Sequence, residues 1–135
     1  MSDTGTRLRA HLLGNAAITA IIGTSCHQGH VPQAVTVPYV WFGRANTDPL
    51  RTLDSAAGQA PFVESFDVEA ISDDLDEAQT LASALKARLE CHRGTFDDST
   101  VKGIFVEDHN DEYIPRGIAS DEVFHVAAMR CEIIP

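Results

Sequence analysis

Thiolate and imidazole are the ligands zinc prefers, and the run Cys26-His27-Gln28-Gly29-His30, with Cys91-His92 and His125 further on, offers both. Structural zinc sites hold ligands in two clusters, each a pair about two to four residues apart. Here Cys91 and His92 are adjacent, and adjacent positions on a helix point about 100° apart. The spacing argues against a metal site. Cys91 reads instead as a small core residue near a helix end, with His27, His30 and His92 as surface or lightly packed imidazoles. A Cys-His nucleophile needs a third, orienting residue, and no such signature accompanies any of the three cysteines. The carboxylate pairs Asp73-Asp74, Asp97-Asp98 and Asp111-Glu112 fall where helix caps and turns are expected, which explains them without acid-base catalysis. The nine glycines form neither of the phosphate-binding patterns, G-x-G-x-x-G or G-x-x-x-x-G-K-[ST]. No catalytic residue, cofactor site or metal site is expected.

The elements that would position any site follow from periodicity. Thr6 to Leu13 places Leu8, Leu12 and Leu13 at helical spacing, with Arg7, Arg9 and His11 on other faces and Gly14 as a stop. Asn15 can cap a second short helix, Ala16 to Ile22, closed by Gly23. Ser25 to Gln33 holds Gly29 and Pro32 and reads as irregular, with room for a two- or three-residue edge strand. Pro38 to Arg44 carries Tyr39, Val40, Trp41 and Phe42, a strand run. In it, Trp41 reads as core or subunit packing rather than as a stacking platform for bases. Phe62 to Ile71 is a second strand, with Phe62, Phe66, Val68 and Ala70 on one face and Val63, Ser65, Asp67 and Glu69 on the other.

Between these strands the spacing predicts a long loop, Ala45 to Pro61. The helix from about Asp74 to Arg93 repeats Leu75, Ala78, Ala82, Leu85 and Leu89 on one face, with Gly94 closing it. Two further strands, Val101 to Glu107 and Val123 to Ile134, flank an acidic loop from Asp108 to Asp121. The last strand is apolar on both faces, which fits either a central strand covered on both sides or a face packed on another subunit. These elements predict an α+β fold with a mainly antiparallel four- to five-stranded sheet and helices packed on one face.

The chain's 135 residues fit one domain, 1–135. A net charge of -10 repels a phosphate backbone, so no specific nucleic-acid binding is expected. The longest apolar stretch, Ala16 to Ile22, is far shorter than the roughly 20 residues of a membrane span, and no export signal precedes it. Three widely spaced cysteines fit a reducing cytoplasm. Residues 1–51 carry four arginines against two aspartates, a balance of +2, which leaves -12 to the other 84 residues. That division has two readings: a solvated acidic surface, or an assembly surface with sides of opposite potential.

A diffuse pattern runs from about residue 8 to the C-terminus. It comprises Leu13 with Ala16, Ile18, Ile21, Ile22 and Gly23; Val31-Pro32-Gln33; Pro38-Tyr39-Val40-Trp41-Phe42; Phe66-Asp67-Val68-Glu69; the helix Asp76-Glu77-Ala78 through Leu81, Leu85 and Leu89 to Gly94; and Gly103-Ile104-Phe105 leading to Asp108 and Tyr113. In these features the chain resembles the tail-terminator or tail-completion family of long-tailed bacteriophages and prophages, which share the lambda tail-terminator architecture. Most of the matching positions are core or turn residues and speak to fold more than to function.

The resemblance implies a structural, non-enzymatic virion protein, made in the bacterial host cytoplasm and placed at the head-tail junction. There it would form a hexameric ring on the head-proximal end of the tail tube, ending polymerisation and presenting the head-joining surface. Its partners would be copies of itself, the tail tube protein and a head-tail connector or neck protein. The candidate subunit-interface residues are Trp41, Arg44, Leu50, Arg51 and Leu53, in or beside the long loop. Two alternatives stand beside this reading: another junction ring protein, a neck or stopper, and a small metal- or thiol-dependent enzyme built on Cys26, His27 and His30.

Overall fold

A computed structural model describes residues 3–31, 36–49, 62–115 and 123–135. Helix α1 spans Thr4–Leu13 and α2 spans Ala16–Ile22. Asn15 caps α2 by accepting from the amides of Ala17 at 2.9 Å and Ile18 at 3.3 Å, and Gly23 ends it at φ 63°, a left-handed conformation that glycine takes without strain. Strand β1, Cys26–Gln28, is the short edge strand. Strands β2, Tyr39–Pro49, and β3, Phe62–Ser72, pair antiparallel, and α3 follows over Leu75–Leu89. A small hairpin, β4 (Gly94–Phe96) and β5 (Ser99–Val101), precedes the long strands β6 (Gly103–Pro115) and β7 (Val123–Ile134).

The main sheet has the order β1-β2-β3-β7-β6. Its β1–β2 pair is parallel and the other three pairs are antiparallel, so the sheet is mixed although mainly antiparallel. All three helices lie on one face. Leu8 and Leu12 of α1, Ile18 and Ile22 of α2, and Leu81, Ala82, Leu85 and Leu89 of α3 share one core with Val40, Phe42, Phe66, Val68, Ala70, Ala127, Met129 and Cys131. The strand residues in that cluster stand opposite one another across the ladders (Phe42 to Val68, Val68 to Met129, Phe66 to Cys131), as one pleat face requires. Burial of this contiguous apolar face, not propensity, holds short helices such as α2 in place.

The structure differs from the sequence reading at several points, each with a local cause. The long loop begins later than Ala45, because Ala45–Pro49 continue β2 beside Phe62–Ser65 across a bulge between Arg44 and Asn46. The rest of that loop, residues 50–61, lies outside the described residues. The acidic loop is likewise strand as far as Pro115: a second bulge between Val106 and His109 carries β6 onward, and an edge strand tolerates charge and proline because one side meets water. Residues 116–122 lie outside the described residues.

Helix α3 stops at Leu89 instead of Arg93. Cys91 turns left-handed at φ 59° and its amide bonds to the Ile104 carbonyl at 2.9 Å, a tertiary pairing that overrides the helical signal. Gly94 therefore opens the β4–β5 hairpin, which turns at Asp97 with φ 55°. Val101 ends β5 rather than starting β6. Leu75 is 43% exposed at the first position of α3, so the buried stripe runs through Ala78, Leu81, Ala82, Leu85 and Leu89. Strand β7 lies inside the sheet between β3 and β6, and Val126 on its outer face is only 2% exposed.

Candidate assembly surface

Of the five candidate interface residues, the structure describes Trp41 and Arg44; Leu50, Arg51 and Leu53 lie outside the described residues. Trp41 and Arg44 share β2 but not a face. Trp41 pairs with Glu69 on the face away from the helices, whereas Arg44 pairs with Phe66 on the helix side. Trp41 is half-buried, and its indole Nε1 donates to the Gly29 carbonyl. Its ring lies close over residue 43, where a Cβ would come within 3.0 Å of the indole carbons, so Gly43 lets the ring fold onto the strand without displacement. His27 pairs with Trp41 from β1 and meets Tyr39 edge-on with ring centroids 6.3 Å apart. Together these residues form an aromatic strip at the β1–β2 end of the outer face.

Arg44 sits where the helix-side face runs out. Its Nη2 donates to Asp3 Oδ1 at 2.9 Å and lies 3.2 Å from Glu64 Oε2, with the guanidinium carbon 5.6 Å from the Phe66 ring centroid. Glu64 Oε2 is buried and has that ion pair without an aligned hydrogen bond, while Oε1 accepts from the Thr4 hydroxyl at 3.1 Å. The arginine thus ties the start of α1 to the β2–β3 hairpin. Beside this cluster a cleft of about 180 Å3 opens between α1 and the β4–β5 hairpin, lined by Thr4, Arg7, Glu64, Phe96, Thr100 and Ile133 among others. Arg7, on its wall, donates to Asp98 of the hairpin turn at 2.7 Å. Nothing in the sequence pointed to this cluster or cleft, because their members come from segments far apart in the chain.

The residues that suggested chemistry are dispersed. Cys26 and Cys131 are buried in the core, and burial pushes their thiols up to about 11 and about 12, well away from thiolate at neutral pH. Cys91, expected in the core, is exposed because the left-handed turn after α3 swings it outward. Among the described residues no three His, Cys, Asp or Glu side chains converge as metal ligands, and no helix is long and apolar enough to cross a membrane. His11, expected on a polar face, is only 5% exposed. Its ring centroid is 4.3 Å from that of His92 and 5.1 Å from that of Phe96, and its Nε2 lies 3.3 Å from the Arg88 carbonyl. Burial chiefly, with the positive charge of Arg88, holds its pKa down to about 4.

The described residues thus make a helix-backed mixed sheet whose ionic and aromatic groups pack, cap and tie its elements together. The family model of tail completion protein gp17 matches residues 6–130, and the chain belongs to that family. A chain in the virion of a native gene transfer agent particle shares the fold: TM-score 0.63, 17% identity, 93% of this chain and 90% of that chain covered. A chain in the tail of an empty gene transfer agent particle matches at TM-score 0.27 and 17% identity, over 70% of this chain and 75% of that one. No curated protein matches the sequence significantly.

Proposed function

We propose that this protein is a non-catalytic tail terminator: a ring, hexameric as the family resemblance implies, that caps the head-proximal end of the phage tail tube. The observation that carries the reading is membership of the tail-completion family over nearly the whole chain. A tube end offers the same surface after each added ring of tube subunits. Termination needs a protein that binds that surface and shows a different one above it, which only differential affinity can achieve. One face of this ring meets the tail tube protein and the other meets a connector or neck protein. Residues 1–135 act as one unit in it, with Trp41, Arg44, Leu50, Arg51 and Leu53 at or near the subunit contacts. The net charge of -10 suits a ring through which DNA passes, because like charge disfavours phosphate contacts.

Electron microscopy of the purified protein, alone and mixed with tail tubes, tests the reading. Closed rings, free or seated on one tube end, are expected. Monomers at all concentrations together with bare tube ends would overturn it.

A further inference from the structure

The five-stranded sheet ends in two edges that differ in charge, and each runs past the segment that covers it. At one end the Val40 amide donates to the Ser25 carbonyl and the Phe42 carbonyl accepts from Gly29, both at 2.9 Å, so before the bulge the even-numbered residues of β2 turn their backbone groups toward β1. Strand β1 stops at Gln28, whereas β2 continues to Pro49. The antiparallel alternation against β3 turns the N–H and C=O of Arg44 to that same side, beyond the end of β1 and just before the bulge. Residues 44–47 are all exposed.

At the other end the Ile104 carbonyl accepts from Cys91 at 2.9 Å and its amide donates to His92 at 3.0 Å, so its backbone groups face away from β7. Val106, two residues on and still before the bulge, faces the same way. Among the described residues no strand pairs with β6 on that side. The strand runs on to Pro115, and the sequence places Glu107, Asp108, Asp111 and Glu112 along it.

We propose that these two edges join between neighbouring copies of this chain: β6 of one copy, from Val106 onward, adds as a strand beside Gly43–Pro49 of β2 in the next. The inference rests on the ring reading and names the contact that closes the ring. An open edge is a template for pairing with any other edge. Two β6 edges would set four carboxylates against four, and like charges placed opposite one another destabilise a ladder. The outer half of β2 carries one carboxylate, Asp48, and one arginine, Arg44, whose guanidinium is shared between Asp3 and Glu64, so this edge has no excess of negative charge of its own along the strand. The acidic edge therefore meets less like charge on the β2 edge than on a second copy of itself. A contact between two different surfaces of identical subunits is heterologous, and it makes a closed ring when its rotation closes.

Hydrogen-deuterium exchange on the unmodified protein tests this directly. Fragments containing Val106 and Arg44 should exchange at least about tenfold more slowly in assembled rings than in dissociated subunits. The variant Val106→Pro, which removes one outward N–H, should fold by circular dichroism yet associate about tenfold or more weakly, the size expected when a backbone hydrogen bond and its neighbours are lost. Rings in which both fragments exchange as fast as in free subunits overturn the edge pairing and leave the ring reading intact. Should Val106→Pro misfold, the exchange result decides. A wild-type protein that forms no ring alone or on tubes overturns the ring reading and the pairing together.

Discussion

Arg44 and Glu64 face each other at 3.2 Å across the outer end of the β2–β3 hairpin, and each also holds the first residues of α1, Arg44 through Asp3 and Glu64 through Thr4. Exposed ion pairs contribute little, about 0–1 kcal/mol, but here the guanidinium also lies over the Phe66 ring. Arg44→Met should lower stability by about 1 kcal/mol in urea denaturation. Asp3→Asn should lower it less and add nothing to Arg44→Met, since both act on one tie. Additive losses would show that the two residues act separately.

Leu85 is fully buried beneath the sheet, while Leu75, on the same helix, is 43% exposed. Leu85→Ala should cost about 2–5 kcal/mol, because it removes transfer energy and leaves a cavity. Leu75→Ala should stay within about 0.5 kcal/mol. Thermal unfolding of the two variants checks the contrast, and similar melting temperatures would show that the packed face of α3 is misassigned.

His11 gives a pH dependence with a definite sign. Its folded pKa, near 4, lies below the ordinary 6.5, so the unfolded chain takes up a proton that the folded chain refuses. Stability from this residue is fully present above about pH 6.5 and declines as the pH falls toward 4. Between these values the melting temperature of the wild type should fall more steeply than that of His11→Gln. Parallel curves would mean that His11 is protonated in the fold.

The segment between β2 and β3, residues 50–61, lies outside the described residues and carries three of the candidate interface residues. Shortening it should leave a cooperatively folding protein that no longer forms rings or caps tubes, in keeping with Leu50, Arg51 and Leu53 as interface residues. Normal assembly by the shortened protein would reduce the segment to a connector.

Local signals that act over a few residues were legible in the sequence. Asn15 capping Ala16–Ile22, the alternation of Phe66, Val68 and Ala70, and the apolar stripe through Leu85 and Leu89 each depend on near neighbours, and each stands in the structure where periodicity puts it. The elements that were misplaced depend on distant partners. Strands β2 and β6 outlast their turn signals because bulges at Arg44/Asn46 and Val106/His109 keep them paired, and α3 ends early because Cys91 bonds to Ile104. The Arg44 cluster joins Asp3 and Arg44 to Glu64 and Phe66 of β3, across separations along the chain that carry no periodic signal, and His11 packs against His92 and Phe96, which follow α3 in the sequence.

The central claim, that this protein stops tail growth, is tested most directly by the length of tail tubes in an infection lacking its gene. Tubes of excess or irregular length, beside filled and unjoined heads, are expected. Tails of normal length that only fail to join heads would contradict termination in favour of a neck protein, and normal infectious particles would contradict both structural roles.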